Sequence, residues 1–168
     1  RGRACLIRAV VLLGALAASS FGMKLGMPGA RVVDEGRTSR DGYEMLVASF
    51  GPGAAAPAFV TVDASEAGDA VDIATATENV VDARIVSPPA DSGRVVVRVI
   101  PGTPIDDQAT AGMVNDLRSR LDGEVPSAEV GGPSAQNRDL TAVLTGRAPY
   151  AIAIILVVAF VLLLVVFR

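Results

Sequence analysis

The sequence predicts an α+β domain that stands outside the cytoplasm between two transmembrane helices. Residues 149–167 carry no charge and are almost wholly apolar, which is typical of a membrane-spanning helix. All 18 acidic residues lie in the middle of the chain, between Arg31 and Asp139. In that middle part, short β-branched segments alternate with segments of helical periodicity. We therefore expect a water-exposed domain with apolar segments at both ends.

Composition excludes several classes of function. The net charge of −3 and the absence of tryptophan argue against a nucleic-acid-binding protein. With no histidine and a single cysteine, Cys5, the chain has neither the common zinc ligands nor an internal disulfide. We see no nucleophile and base in a catalytic pattern, so we expect no enzyme and no cofactor.

The N-terminal apolar segment has two interpretations. Residues 9–23 are uncharged, and residues 1–24 are predicted to form a transmembrane helix. The alternative is a secretory signal that ends in the cleavage-like sequence "ALAAS". In both cases the basic residues near the chain ends favour the cytoplasm and leave the middle outside; they are Arg1, Arg3, Arg8 and Arg168.

The C-terminal segment, residues 134–168, is predicted to be a connecting helix that runs into a transmembrane helix. Residues 149–167 would span about 28 Å as a helix, close to the thickness of the hydrocarbon core. Arg147 and Tyr150 suit one interface. We expect Ser134 to cap the connecting helix and Pro149 to bend it at the interface.

The middle begins with a helix in "TSRDGYEMLVASFGPG". Thr38 or Ser39 is expected to cap it, and Gly51 with Pro52 to end it. Its apolar residues recur at helical spacing on one face; they are Tyr43, Leu46, Val47 and Phe50.

A strand, a helix and another strand follow. "AFVTVD" (58–63) predicts the first strand. Ser65 is expected to cap the next helix, whose apolar face is thin and consists of Ala67, Ala70, Val71 and Ala74. "VVDARIVS" (80–87) predicts the second strand.

The last three elements repeat this order. The turn "PPADSG" is expected to join the second strand to a third at 94–100, with Val95, Val97 and Val99 on one face. A helix over 105–123 has Asp106 and Asp107 at its positive end and Gly123 as its stop. Its buried stripe would be Met113 or Val114, Leu117 and Leu121. "SAEVGG" (127–132) predicts the fourth strand.

This order, β-α-β followed by β-α-β, predicts a ferredoxin-like (split βαβ) domain over residues 25–133. Such a domain has a four-stranded antiparallel sheet with both helices on one face.

Three motifs could carry chemistry. "FGPG" lacks the Lys-Ser/Thr of a phosphate loop, so we interpret it as a helix stop and turn. The carboxylate pairs Asp106–Asp107 and Asp63–Glu66 are interpreted as helix-start charges. Asn137, Arg138 and Asp139 lie where the domain meets the membrane segment, so they are candidates for coupling the two; the alternative is a solvated first turn of a helix.

Several segments resemble the MMPL family of the resistance–nodulation–division (RND) transporters. They are "GMKLGMPG", "SRDGYEMLVASFGPGAAAPAFVTVD" and "VGGPSAQNRDLTAVLTGRAPYAIAIILVVAFVLLLVVFR". The resemblance implies a fragment comprising the seventh membrane helix, the second porter domain and the eighth membrane helix of a twelve-helix transporter.

By the same resemblance, the protein would be a multi-pass, proton-driven exporter of lipids or hydrophobic compounds in a bacterial plasma membrane. Its partners would be the lipid bilayer, the remaining helices, the first porter domain and the substrate, with no nucleic acid. The proton-relay pair would lie in another helix, since neither apolar segment contains an acidic residue. The alternative is a membrane-anchored extracytoplasmic sensor or scaffold.

Overall fold

A computed structural model describes residues 8, 11–15, 29–87 and 92–167. A short 3-10 turn at Ala30–Val32 precedes the regular elements. These elements are α1 (Thr38–Phe50), β1 (Ala58–Asp63), α2 (Ala67–Thr75), β2 (Val80–Ile85), β3 (Arg94–Pro101), α3 (Gln108–Glu124), β4 (Glu129–Gly131) and α4 (Gly132–Phe167).

The four strands form one antiparallel sheet in the order β2-β3-β1-β4. β1 and β2 are parallel to each other but not adjacent, because β3 lies between them. β3 and β4 are likewise parallel and are separated by β1. The predicted α+β class and four-stranded antiparallel sheet are confirmed. The turn expected over residues 88–93 lies largely outside the described residues.

The core lies between one face of this sheet and helices α2 and α3. Alternate residues of β1 and β3 point into it and are almost fully buried; they are Ala58, Val60, Val62, Val95, Val97 and Val99. The predicted stripe of α3 is buried with them, through Met113, Val114, Leu117 and Leu121. Helix α2 contributes small side chains, Ala67, Ala70 and Ala74, so it can pack closely against the sheet.

Several predicted helix ends are wrong. α1 begins after Arg37, which has no side-chain cap, so Thr38 and Ser39 lie inside the helix. Ser65 does not cap α2, whose N-cap position is Glu66. Gly123 does not stop α3, which continues to Glu124. By contrast, Asp107 caps α3 by accepting a hydrogen bond from the Ala109 N–H at 2.9 Å.

Helix α1 ends at Phe50 as predicted, with Gly51 at φ +88°. Its apolar face, however, is not buried: Phe50 is 71% exposed and Leu46 is 36% exposed. Within the described residues, α1 packs chiefly on the 3-10 turn that precedes it.

Among the described residues, α4 is the one helix long and apolar enough to cross a membrane. It runs unbroken from Gly132 to Phe167 with Pro149 inside it. Of the N-terminal segment, residues 8 and 11–15 are helical. The rest of the predicted helix over 1–24 lies outside the described residues.

Candidate functional site

Strand β4 passes into α4 without a loop. Gly131 ends the strand and Gly132, at φ +89°, begins the helix. A Cβ on residue 132 would lie 2.8 Å from Phe59 Cδ2 and 3.1 Å from the Phe59 nitrogen. Only glycine tolerates both this φ and this contact. The two glycines therefore allow the long helix to start directly at the edge of the sheet.

The first turns of α4 are then held by two hydrogen bonds to distant backbone carbonyls. Ser134 is buried, and its Oγ donates to the Ala56 carbonyl at 2.6 Å. Asn137 is also buried, and its Nδ2 donates to the Ile105 carbonyl at 2.7 Å. These bonds hold α4 against the segments that lead into β1 and α3.

An ion pair completes the attachment. Arg118 of α3 donates to both carboxylate oxygens of Asp139, at 2.6 and 2.9 Å. The same guanidinium donates to the Val130 carbonyl of β4 at 3.1 Å, so one side chain joins three elements. Arg138 adds a contact of 3.2 Å to Asp139.

The ion pair shifts the pKa of both partners. The hydrogen bond from Arg118, helped by its charge, lowers the pKa of Asp139 below its usual 3.8. The hydrogen bond to Asp139 in turn raises the pKa of Arg118. Both groups are therefore charged at neutral pH, and the bidentate geometry is the strong form of an arginine–carboxylate pair.

We call this set of contacts the domain–helix junction: Ala56, Ile105, Arg118, Val130, Ser134, Asn137 and Asp139. Of the residues predicted from sequence, Asn137 and Asp139 lie in it, and Arg138 reaches it only through Asp139. Sequence reasoning missed Arg118, and it assigned Ser134 to a helix cap. No pattern in the sequence links positions 118 and 139, because their contact depends on how α3 and α4 pack.

A groove of about 490 Å³ opens beside the junction. It lies between Arg118, the β4–α4 turn and the first turns of α4, where Leu140 and Val143 are 37% and 49% exposed. Apolar side chains and an ion pair thus border one groove where α4 leaves the domain.

Three of the four other carboxylates considered from sequence make structural contacts. Glu66 accepts a hydrogen bond from the Ser127 hydroxyl at 2.6 Å, and Asp63 lies 3.6 Å from Arg94. Asp107 caps α3. In the part of the chain that the structure describes, no three acidic or cysteine side chains come together as a metal site would require.

Comparisons with known proteins agree with these features. The model of the MMPL family matches residues 53–168. The membrane protein YdfJ of Bacillus subtilis is 28% identical over 95% of this chain and 23% of its own length. The mycolic acid-containing lipids exporter MmpL11 of Mycolicibacterium smegmatis is 29% identical over 98% of this chain and 19% of its own length.

No solved structure gives a significant match. The chain spans about a fifth to a quarter of the length of these two relatives. The family match covers well over half of the chain, including the sheet, both helices that cover it, the junction and α4. The chain therefore belongs to the MMPL family.

Proposed function

We propose that this chain provides an extracytoplasmic domain and a membrane helix of an RND-type transporter that exports lipids or other hydrophobic compounds. Family membership supports a transport role, and the relative MmpL11 is named as an exporter of mycolic acid-containing lipids. YdfJ, the other relative, is named as a membrane protein. The setting we propose is a bacterial plasma membrane, with a multi-pass protein and a proton-driven cycle.

The domain in this proposal is a ferredoxin-like porter domain between two membrane helices, the first in residues 1–24 and the second in α4. The strand order β2-β3-β1-β4 and the packing of α2 and α3 on one face of the sheet support that classification. The exposed, uncharged surface of α4 over residues 149–167 supports insertion in a bilayer, because such a surface is unfavourable in water.

The role of the junction is to couple the membrane helix to the sheet. The bidentate Arg118–Asp139 pair carries this proposal, because Arg118 also holds Val130 in the edge strand. A tilt of α4 would pull on β4 and α3 together, since all three elements share that one guanidinium. This mechanism is conformational and assigns no covalent step to the chain.

Export by cells that express the reading frame carrying this sequence tests the proposal. Arg118→Gln and Asp139→Asn should each lower export of labelled lipid to the cell surface several-fold at equal protein level in the membrane. Arg120→Gln is the matched control, because Arg120 lies on the same helix and pairs with Asp116 within that helix, at 3.0 Å.

Two results would contradict parts of this proposal. If a variant that combines Asp139→Asn with Asn137→Ala exported lipid at the rate of the unsubstituted protein, the junction would not couple the domain to the helix. If deletion of residues 31–139 from the expressed protein left export unchanged, the domain would instead be a sensor or scaffold.

A further inference from the structure

The sheet has a second face, which α2 and α3 do not cover. The residues of β1 and β3 that alternate with the core valines point to this face. Four of them, Phe59, Val96, Arg98 and Ile100, are only half-buried. We call them, together with Arg84 of β2, the open sheet face.

Two arginines lie side by side on this face. Arg84 and Arg98 are direct cross-strand partners in the β2–β3 register. Like charges placed directly opposite each other destabilise a sheet, so an anion beside both guanidinium groups would stabilise this pair.

The carboxylates nearby are already engaged. Asp82 lies 3.3 Å from Arg84, while Asp63 and Glu129 lie 3.6 and 3.8 Å from Arg94. Among the described residues, the Arg98 side chain makes no ion pair and no hydrogen bond, and its Nε, like those of Arg40 and Arg94, is buried without a hydrogen-bond partner. Arg40 and Arg94 form ion pairs through their guanidinium groups, whereas Arg98 forms none among the described residues, so Arg98 is the arginine that lacks an acceptor.

Apolar side chains flank Arg98. Phe59 is its cross-strand partner on β1. Val96 and Ile100 are the neighbours of Arg98 on the same face of β3. A ligand that reached Arg98 would therefore also contact an aromatic ring and two aliphatic side chains.

We propose that the open sheet face binds an anionic amphiphile with a single carboxylate, such as a fatty acid. The carboxylate would lie between Arg84 and Arg98, and the chain would lie along Val96, Ile100 and Phe59. Arginine forms bidentate hydrogen bonds with carboxylates, which suits this role. Because Asp82 offsets the charge of Arg84, one positive charge is left over, which matches a carboxylate better than a doubly charged phosphate.

The size of the face favours a small ligand over a protein. Four strands about 4.8 Å apart and about six residues long cover roughly 400 Å², whereas a stable protein interface buries about 800 Å² on each partner. The biological meaning of this binding, as a step towards export, rests on the proposed function; the binding itself does not.

The absence of tryptophan allows a clean binding assay. Thr61→Trp places a fluorophore beside Val96, its cross-strand partner. The full chain, reconstituted in phosphatidylcholine vesicles, is titrated with a medium-chain fatty acid that carries a terminal bromine, which quenches tryptophan on contact. The methyl ester of the same acid is the neutral control.

We expect saturable quenching by the acid and much weaker quenching by the ester. Arg98→Gln should raise the apparent Kd for the acid by about tenfold or more, because a charge-assisted hydrogen bond is lost. Arg120→Gln, on the far side of the domain, should leave the Kd unchanged. Val96→Trp serves as a second reporter, and circular dichroism checks the fold of each variant.

Equal quenching by acid and ester, or an unchanged Kd in Arg98→Gln, would overturn the proposal. The proposal would also be overturned if an aspartate-rich peptide shifted the tryptophan emission and the fatty acid did not. That result would indicate an acidic protein partner. This assay measures binding alone. If the fatty acid does not bind but the export assay gives the results expected under the proposed function, only the present inference is contradicted.

Discussion

Replacing Gly53 by alanine should destabilise the domain strongly. Gly53 lies in the "FGPG" turn and is buried against the end of β3. A Cβ at this position would lie 1.8 Å from the Pro101 carbonyl oxygen and 2.6 Å from its carbon. The obstacle is the backbone at the end of an inner strand, so it cannot rotate away as a side chain would.

The magnitude follows from that distance. Ordinary contacts of a Cβ begin at about 3.4 Å, so the turn and the strand would have to separate by about 1.6 Å. Overpacking of this kind typically costs 1–3 kcal/mol, and the rigid neighbour puts Gly53→Ala at about 3 kcal/mol. In a domain of this size, that loss lowers the Tm by roughly 12 °C or more.

Gly112→Ala provides a control with the same chemical change and the opposite sign. Gly112 lies inside α3, is exposed, and has no atom within 4 Å of the Cβ position. Alanine in a helix interior is favoured over glycine by about 1 kcal/mol, so this variant should be more stable than the parent.

Pulse proteolysis over a urea series measures both variants in the full chain, reconstituted in phosphatidylcholine vesicles. The midpoint should move down for Gly53→Ala and up for Gly112→Ala. If Gly53→Ala unfolds at the same urea concentration as the parent or a higher one, the packing of the "FGPG" turn under β3 is refuted.

Two further predictions concern charge. Because the pKa of Asp139 is lowered in the folded state, the Arg118–Asp139 pair contributes its full stability above the usual value of 3.8 and loses it as the pH falls through the lower folded value. In Asp139→Asn, the free energy of unfolding should therefore fall less steeply with acidification than in the parent. The difference should be less than about 1 kcal/mol, because the Asp139 side chain is 47% exposed. A pH profile of stability that runs parallel to that of the parent would contradict this. Asp107→Ala should cost about 1 kcal/mol by removing the cap of α3, whereas Asp107→Asn should be nearly neutral, and equal losses in urea unfolding would show that the cap hydrogen bond is unimportant.

The strands and core helices could be predicted because their patterns are local. The alternation of Val95, Val97 and Val99 reports a buried face directly, since strand side chains point to opposite sides with a period of two. The spacing of Leu117 and Leu121 does the same for a helix.

Hydroxyl side chains were harder to assign. Ser134 precedes a helical pattern and so resembles a cap, yet its hydroxyl donates to Ala56, 78 residues earlier in the chain. Which acceptor a serine finds depends on the tertiary contacts, and a local pattern cannot distinguish a cap from a long-range hydrogen bond.

The same limit applies to the junction and to α1. Polar residues that precede a long apolar run make Asn137 and Asp139 candidates, but Arg118 lies in an ordinary helix surface pattern, which gives no signal. The apolar face of α1 was recognised, but an amphipathic pattern does not say what covers the face, and Phe50 is 71% exposed.

The continuity of α4 gives the domain mechanical leverage. From Asp139 to Phe167 the helix extends about 42 Å at 1.5 Å per residue. A rotation of only about 5° at the short end would then sweep the distant tip sideways by about 4 Å. A small rotation at the sheet would become a large displacement at the far end of α4, and a force applied at that end would act on the sheet through a long lever arm.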